Sequence, residues 1–458
     1  MVTVILYFTA LINLFSVTSH TYYISSSGND FNNGLSPKTA WRTIDKINQL
    51  TLQKGDSVLF EGGETFNGNL RLDENDEGDV FRKVVISSYG KGKATINAEN
   101  ETGIMVYNNG GITICNIVVT GNGVGVNKGS GIHFYGDVAS SKLANINIEN
   151  CVVEGFHFYG ILIQSEKDTL CGFNNVNIIN CIATNNGEAG IASLAAYPAI
   201  AHQKFSVVRC KAFDNRGILT KTDNHSGNGI VLSGVKNFLI DSCEAYENGA
   251  DCRSVGGGPV GIWVWNCQSG FIRHSISHHN HSGTCVHDGG GFDIDGGSSN
   301  CTIRNCISYD NEGAGYLVCE FGSPNPFTNN LIINNSSRND GLKNNYGAIT
   351  ISGAGKLFPV TNTRIADNKV VVENKNVVNG VAAALYFNET DFRNIVIENN
   401  SFEIKGGARV LFCDTIFTPA HALFRNNKFV IKANNFPVVC KKCKTTNTDF
   451  WKQVLMSK

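Results

Sequence analysis

Charge, proline and long apolar runs are what this sequence has least of. Charged side chains are 17% of 458 residues, and 38 basic against 39 acidic groups leave a net charge of -1. That excludes a nucleic-acid binder relying on a basic field. Proline occurs only 8 times, too sparsely for a proline-rich linker. One apolar run stands out, Val2 to Phe15, with the small residues Val17, Thr18 and Ser19 after it. It falls short of the roughly 20 residues that span a bilayer and reads as a signal peptide over residues 1–19. A secreted, monomeric protein without membrane insertion is expected, with the cell surface or periplasm as the other destinations.

Glycine and cysteine are abundant instead, at 49 and 15 residues. Glycine-rich, proline-poor sequence with many short Ile/Val runs predicts strands joined by tight turns. An odd cysteine count leaves at least one thiol unpaired. After the leader, residues 20–56 hold Tyr22-Tyr23-Ile24-Ser25, a turn-rich stretch from Gly28 to Gly34, and Pro37 opening a capping helix on Ala40, Ile44, Ile47 and Leu50.

An internal repeat dominates the remainder. Gly131, Gly160, Gly190, Gly229, Gly261, Gly291, Gly315 and Gly347 each begin an alternating segment, at steps of 29, 30, 39, 32, 30, 24 and 32 residues. A second strand per repeat ends in Cys151, Cys181, Cys210, Cys243 or Cys306, with Ser275 in the missing slot. Five places on, Asn186, Asn215, Asn248, Asn280 and Asn311 make another column. Such a period is the mark of a solenoid, here an all-β, right-handed parallel β-helix over 57–435, with 436–458 as a cap or tail. The Cys column should point inward as core filler and the Asn amides should stack. Asp214, Glu247, His279, Asp310 and Asp340 are assigned to the turn ahead of each amide.

Strand alternation turns the second and fourth residues after each glycine outward. Those positions include Trp263, Trp265, Asp293 and Asp295, a patch of indoles and carboxylates on adjacent coils. Indoles stack on sugar rings, and two carboxylates are the equipment of a glycosidase. Tyr316, beside the acidic strand, joins Trp263 and Trp265 as an expected substrate contact. Arg253, His287 and Lys343, on loops entering these strands, are candidates for a catalytic base. Cys252 and Cys285, in like loop slots one coil apart, are the best disulfide candidates nearby. His278-His279 and His287-Asp288 lack a third zinc ligand at recognisable spacing, and Cys440/Cys443 read as a disulfide or cap contact.

The Tyr22–Ser25 opening, the Gly-Asn-Asp-Phe-Asn-Asn-Gly-Leu-Ser-Pro segment at 28–37, the capping helix and Lys54-Gly-Asp-Ser-Val58 resemble the pectin-lyase-like superfamily, over about 22–430. The resemblance implies a polysaccharide lyase cleaving a uronate polymer by β-elimination. Asp288, Asp293, Asp295 and Asp310 look similar to the calcium cluster of family nine pectate lyases, so Ca²⁺ is the implied cofactor. That family's base is a lysine, whereas no Lys or Arg stands at an outward strand position here. A glycoside hydrolase using Asp293 and Asp295 is the second reading, and a non-catalytic polysaccharide-binding or adhesion β-helix the third.

Overall fold

A computed structural model describes residues 18–76, 78–138, 142–388, 391–414, 420–432, 438–440 and 448–456; residues 1–17 of the expected signal peptide lie outside them. Three parallel sheets of 14, 13 and 13 strands run side by side, and neighbours within a sheet are, as a rule, every third strand of the chain. One coil therefore spends one strand in each sheet. With the right-handed crossover of parallel strands, this is the expected right-handed parallel β-helix.

Register and burial explain why the repeat folds this way. Ile132, Ile161, Ile191, Ile230, Ile262 and Phe292 pair in succession along one sheet, each 0% exposed. Coils about 4.8 Å apart thus place each branched side chain on the one below, and burying one contributes about 1.5–3 kcal/mol. Cys151, Cys181, Cys210, Cys243 and Cys306 fill a neighbouring inward column as free, buried thiols. Each donates to the carbonyl two residues earlier, as Cys151 does to Glu149 at 3.4 Å.

The asparagines form a continuous buried ladder. Nδ2 of Asn186, Asn215, Asn248 and Asn280 donates to Oδ1 of the next member at 3.1, 2.9, 3.0 and 2.8 Å. Asn311 passes the chain to Asp340 at 2.7 Å. Asp340 thus belongs to the amide column, not to the turn column expected for it. The turn position is Asn339, with φ 55°, matching Asp214, Glu247, His279 and Asp310 at 51–54°. Short polar side chains tolerate this left-handed backbone best.

Both ends differ from the sequence expectation. The single capping helix is a 3₁₀ turn, Pro37–Thr39, and one α-turn, Ile44–Ile47. Between them Trp41 bridges to Ile24 in extended conformation, because main-chain bonds to Tyr23 and Ser25 hold it there. Thr21–Ile24 itself pairs with Ser57–Glu61, so residues ahead of 57 already contribute to a sheet. At the other end Val438–Cys440 pairs with Leu411–Cys413, and the amphipathic helix Thr448–Leu455 buries Trp451 and Leu455 against the core. Cys440 is disulfide-bonded; Cys443 lies outside the described residues. Among the described residues, no helix is long and apolar enough to cross a membrane.

Candidate active site

The patch expected on the outer face is a cleft, and its depth comes from loops. At the first outward position of successive coils, Leu162, Ala192, Val231, Trp263, Asp293 and Leu317 are nearly inaccessible, contrary to the solvent-facing placement expected from alternation. Leu162, Ala192, Val231 and Trp263 pack on one another with Tyr159, Leu194 and Trp265, and Leu317 packs on Ala314 and Tyr346. His225, from the loop over 214–227, lies 5.4 Å from the Trp263 ring, so alternation gives the direction of a side chain but not what lies above it. The second outward position stays partly open. Leu194, Trp265, Asp295 and Cys319 line a cleft of about 590 Å³ with Tyr159, Tyr197, Val231, Trp263 and Phe321. Trp265 lies 5.7 Å from Tyr197 and 6.3 Å from Phe321, ring to ring.

Three carboxylates line this cleft: Asp288 and Asp295 on one side and Glu188 on the other. Asp288 sits in a left-handed turn, φ 56°, and accepts from the Gly258 amide at 2.7 Å and the Tyr346 hydroxyl at 3.2 Å. Burial raises its pKa while those donors oppose the rise. Asp295 accepts from the Gly296 amide at 2.8 Å. Burial pushes its pKa up to about 7; Asp288 adds to the rise, and donation from Gly296 and the Cys319 thiol limits it. Asp293, paired in register with Trp263 as Asp295 is with Trp265, is 2% exposed. Its Oδ1 has no hydrogen-bond partner, and burial, then the charges of Asp295 and Asp288, hold its pKa well above the carboxylate range.

The opposite wall is polar. Lys221 and Glu188 form an ion pair at 2.6 Å. Asn228 Oδ1 accepts from the Val260 amide at 3.2 Å and the Trp263 indole at 3.1 Å, which turns its Nδ2 toward His225 Nδ1, 3.1 Å away. His225 Nδ1 must then accept, leaving the proton on Nε2. Burial, with Lys221 nearby, brings the His225 pKa down to about 4, so a neutral imidazole donor lines the cleft.

Of the residues expected from sequence, Trp263, Trp265, Asp288 and Asp295 come together here, with Asp293 beneath them. Tyr316 does not: it is 0% exposed, stacked on Phe292 at 5.4 Å, its hydroxyl donating to the Cys306 and Ser336 carbonyls. As the first residue after Gly315 it points inward. Asp310 follows Ile307–Tyr309, in another sheet, and faces Arg338 at 3.5 Å and His279 at 4.0 Å. The four-aspartate cluster is thus not assembled. Among the described residues no group of three or more His, Cys, Asp and Glu side chains is placed to hold a metal. Lys343 is committed to Glu312 at 3.1 Å and the Gly283 carbonyl at 2.6 Å, off the cleft lining. Arg253 and His287 are exposed on their loops and do not line it either.

Sequence reasoning missed Glu188, Lys221, Asn224, His225 and Asn228 on this wall. The signal was present in the 39-residue step from Gly190 to Gly229, the longest in the repeat: the extra residues form the loop bearing Lys221, Asn224 and His225.

No protein-family model matches the chain. A lacto-N-biosidase of Bifidobacterium longum subsp. longum is 36% identical over 89 residues, a match covering 18% of this chain and 6% of that protein. Among solved structures, the GH136 lacto-N-biosidase of Eubacterium ramulus superposes with a TM-score of 0.61 over 90% of this chain and 68% of that one, at 15% identity. The A-module of a mannuronan C-5 epimerase from Azotobacter vinelandii gives 0.53 over 84% of this chain and 91% of that one, also at 15%. At such identities these likenesses show the fold alone, a right-handed parallel β-helix.

Proposed function

We propose that this chain is a carbohydrate-active enzyme that hydrolyses glycosidic bonds. One observation carries the reading: two carboxylic acids of unlike environment, Asp288 and Asp295, share an aromatic-walled cleft. Asp295, titrating near 7, holds a proton that it can donate to a departing glycosidic oxygen. Asp288, supported by two donors, is the group that takes the opposite role as nucleophile or base. Trp263, Trp265 and Tyr197 offer ring faces and edges to a sugar, and His225 Nε2–H donates to a hydroxyl or carbonyl oxygen.

Buried Asp293 replaces neither group: burial and the charges of Asp295 and Asp288 favour its neutral form. The 89-residue likeness to a lacto-N-biosidase supports hydrolysis. The cleft's lysine is neutralised by Glu188, which leaves a β-elimination without an unpaired cation to hold a uronate among the described lining residues.

The test is product analysis on a panel of neutral and uronate glycans. New reducing ends without an unsaturated, ultraviolet-absorbing product are expected. An unsaturated product would instead establish a lyase, and binding without either product would establish a non-catalytic polysaccharide-binding protein. Export, expected from residues 1–19, belongs to the same proposal.

A further inference from the structure

The loops over 247–259 and 279–289, on adjacent coils, hold the Asp288 side of the cleft, and Cys252 and Cys285 meet between them. Their Sγ atoms are 2.9 Å apart, between the roughly 2.05 Å of a disulfide and ordinary non-bonded contact. Both are buried, 0% and 2% exposed, and both are thiols in this structure. They differ from the core column, whose thiols donate to main-chain carbonyls.

The backbone is already set for a covalent link. Thr284 N donates to the Cys252 carbonyl at 2.9 Å. Gly283, at φ 61°, lies so close that a Cβ there would come within 2.3 Å of the same oxygen, so the loops approach as only glycine allows. The Gly258 amide of one loop holds the Asp288 carboxylate of the other at 2.7 Å.

We propose that Cys252 and Cys285 form a disulfide that latches these two loops and fixes the backbone bearing Asp288. The oxidant is a soluble low-molecular-weight disulfide. The thiolate of one cysteine attacks a sulfur of that disulfide, forming a mixed disulfide and expelling one small thiolate. The second protein sulfur displaces the other, and two electrons pass to the oxidant, which ends as two thiols carrying the two protein protons. Burial of both sulfurs makes the bond slow to reduce once formed.

The test uses the full chain and does not depend on catalysis. After incubation with oxidised glutathione, the protein is unfolded, alkylated and digested without reduction. A peptide pair joined through Cys252 and Cys285 is expected, besides the disulfide of Cys440. Recovery of both cysteines alkylated, or joined to other partners, overturns the proposal.

Hydrogen exchange provides the second readout: reduction should speed exchange at 247–259 and 279–289 at least tenfold in the wild type. In a Cys252→Ser/Cys285→Ser variant, which keeps the Cys440 disulfide, exchange in these loops should not change with reductant. Equal exchange in oxidised and reduced wild type would show that the link, even if formed, latches nothing.

Discussion

Trp263 donates its indole N–H to Oδ1 of Asn228 at 3.1 Å. Through that single amide, strand and loop agree on the orientation of a tryptophan, an asparagine and His225. Replacing Asn228 with Leu strands a buried indole N–H, at a cost of about 1–3 kcal/mol, read as a lower melting temperature together with weaker glycan binding. Asn228→Asp keeps the acceptor for Trp263 but removes the donor that fixes the His225 tautomer. NMR should then find His225, neutral down to about 4 in the wild type, titrating at higher pH.

Asp295 controls a pH window. Its folded pKa of about 7 lies above the ordinary value near 4, so the folded state binds this proton more tightly than the unfolded one. The resulting stability is fully present below the ordinary value and is lost as pH rises through about 7. Activity should fall over the same upper limb, because the proton to be donated is gone. Asp295→Asn should lower kcat by about 10²–10⁴-fold without lowering the melting temperature at pH 8. Full activity in this variant would remove Asp295 from the chemistry.

Asp340 ends the asparagine ladder with the wrong group for neutral pH. Burial raises its pKa to about 7, against the donors Ser337 and Asn311. The stability tied to its proton is likewise lost as pH rises from about 4 to about 7. Asp340→Asn continues the ladder with a neutral amide. It should raise the melting temperature at pH 8 more than at pH 4, which thermal melts at the two pH values measure.

Lys343 separates structure from chemistry. It ties Glu312 and the Gly283 carbonyl at the foot of the loop bearing Asp288, where His281 also bonds Glu312 at 3.3 Å. Although burial opposes it, donation from His281, Ser282 and Lys343 draws the Glu312 pKa down to about 2. Lys343→Met should lower the melting temperature and leave the pH dependence of kcat unchanged. Loss of the acid limb, where a catalytic base becomes protonated, would reinstate Lys343 in that role.

Much of the fold was legible because each coil repeats the same physical problem. Gly131 through Gly347, the Cys column and the Asn column mark strand, core and turn at nearly fixed spacing, and short-range pattern suffices when each coil touches mainly its neighbours. The site was legible in part. Trp263, Trp265 and Asp295 follow from alternation along two adjacent strands, and Asp288 from its place just before the second. Tyr316 and Asp310 were misplaced for one reason: sequence proximity to the acidic strand stood in for facing, although Tyr316 points to the core and Asp310 has turned into another sheet. His225 and Asn228 escaped because a loop residue carries no periodicity to declare its direction.

The sequence by itself determined the solenoid, the buried thiol and amide columns, and the coils on which indoles and carboxylates stand, since those depend on strand period and residue size. Only the tertiary structure decided which aspartates meet the cleft, which one lies buried beneath them, and that Lys343 is spent on Glu312. Those outcomes depend on how loops from neighbouring coils fold across the outer face. Burial and donor placement, which no local pattern encodes, then set the protonation of each group.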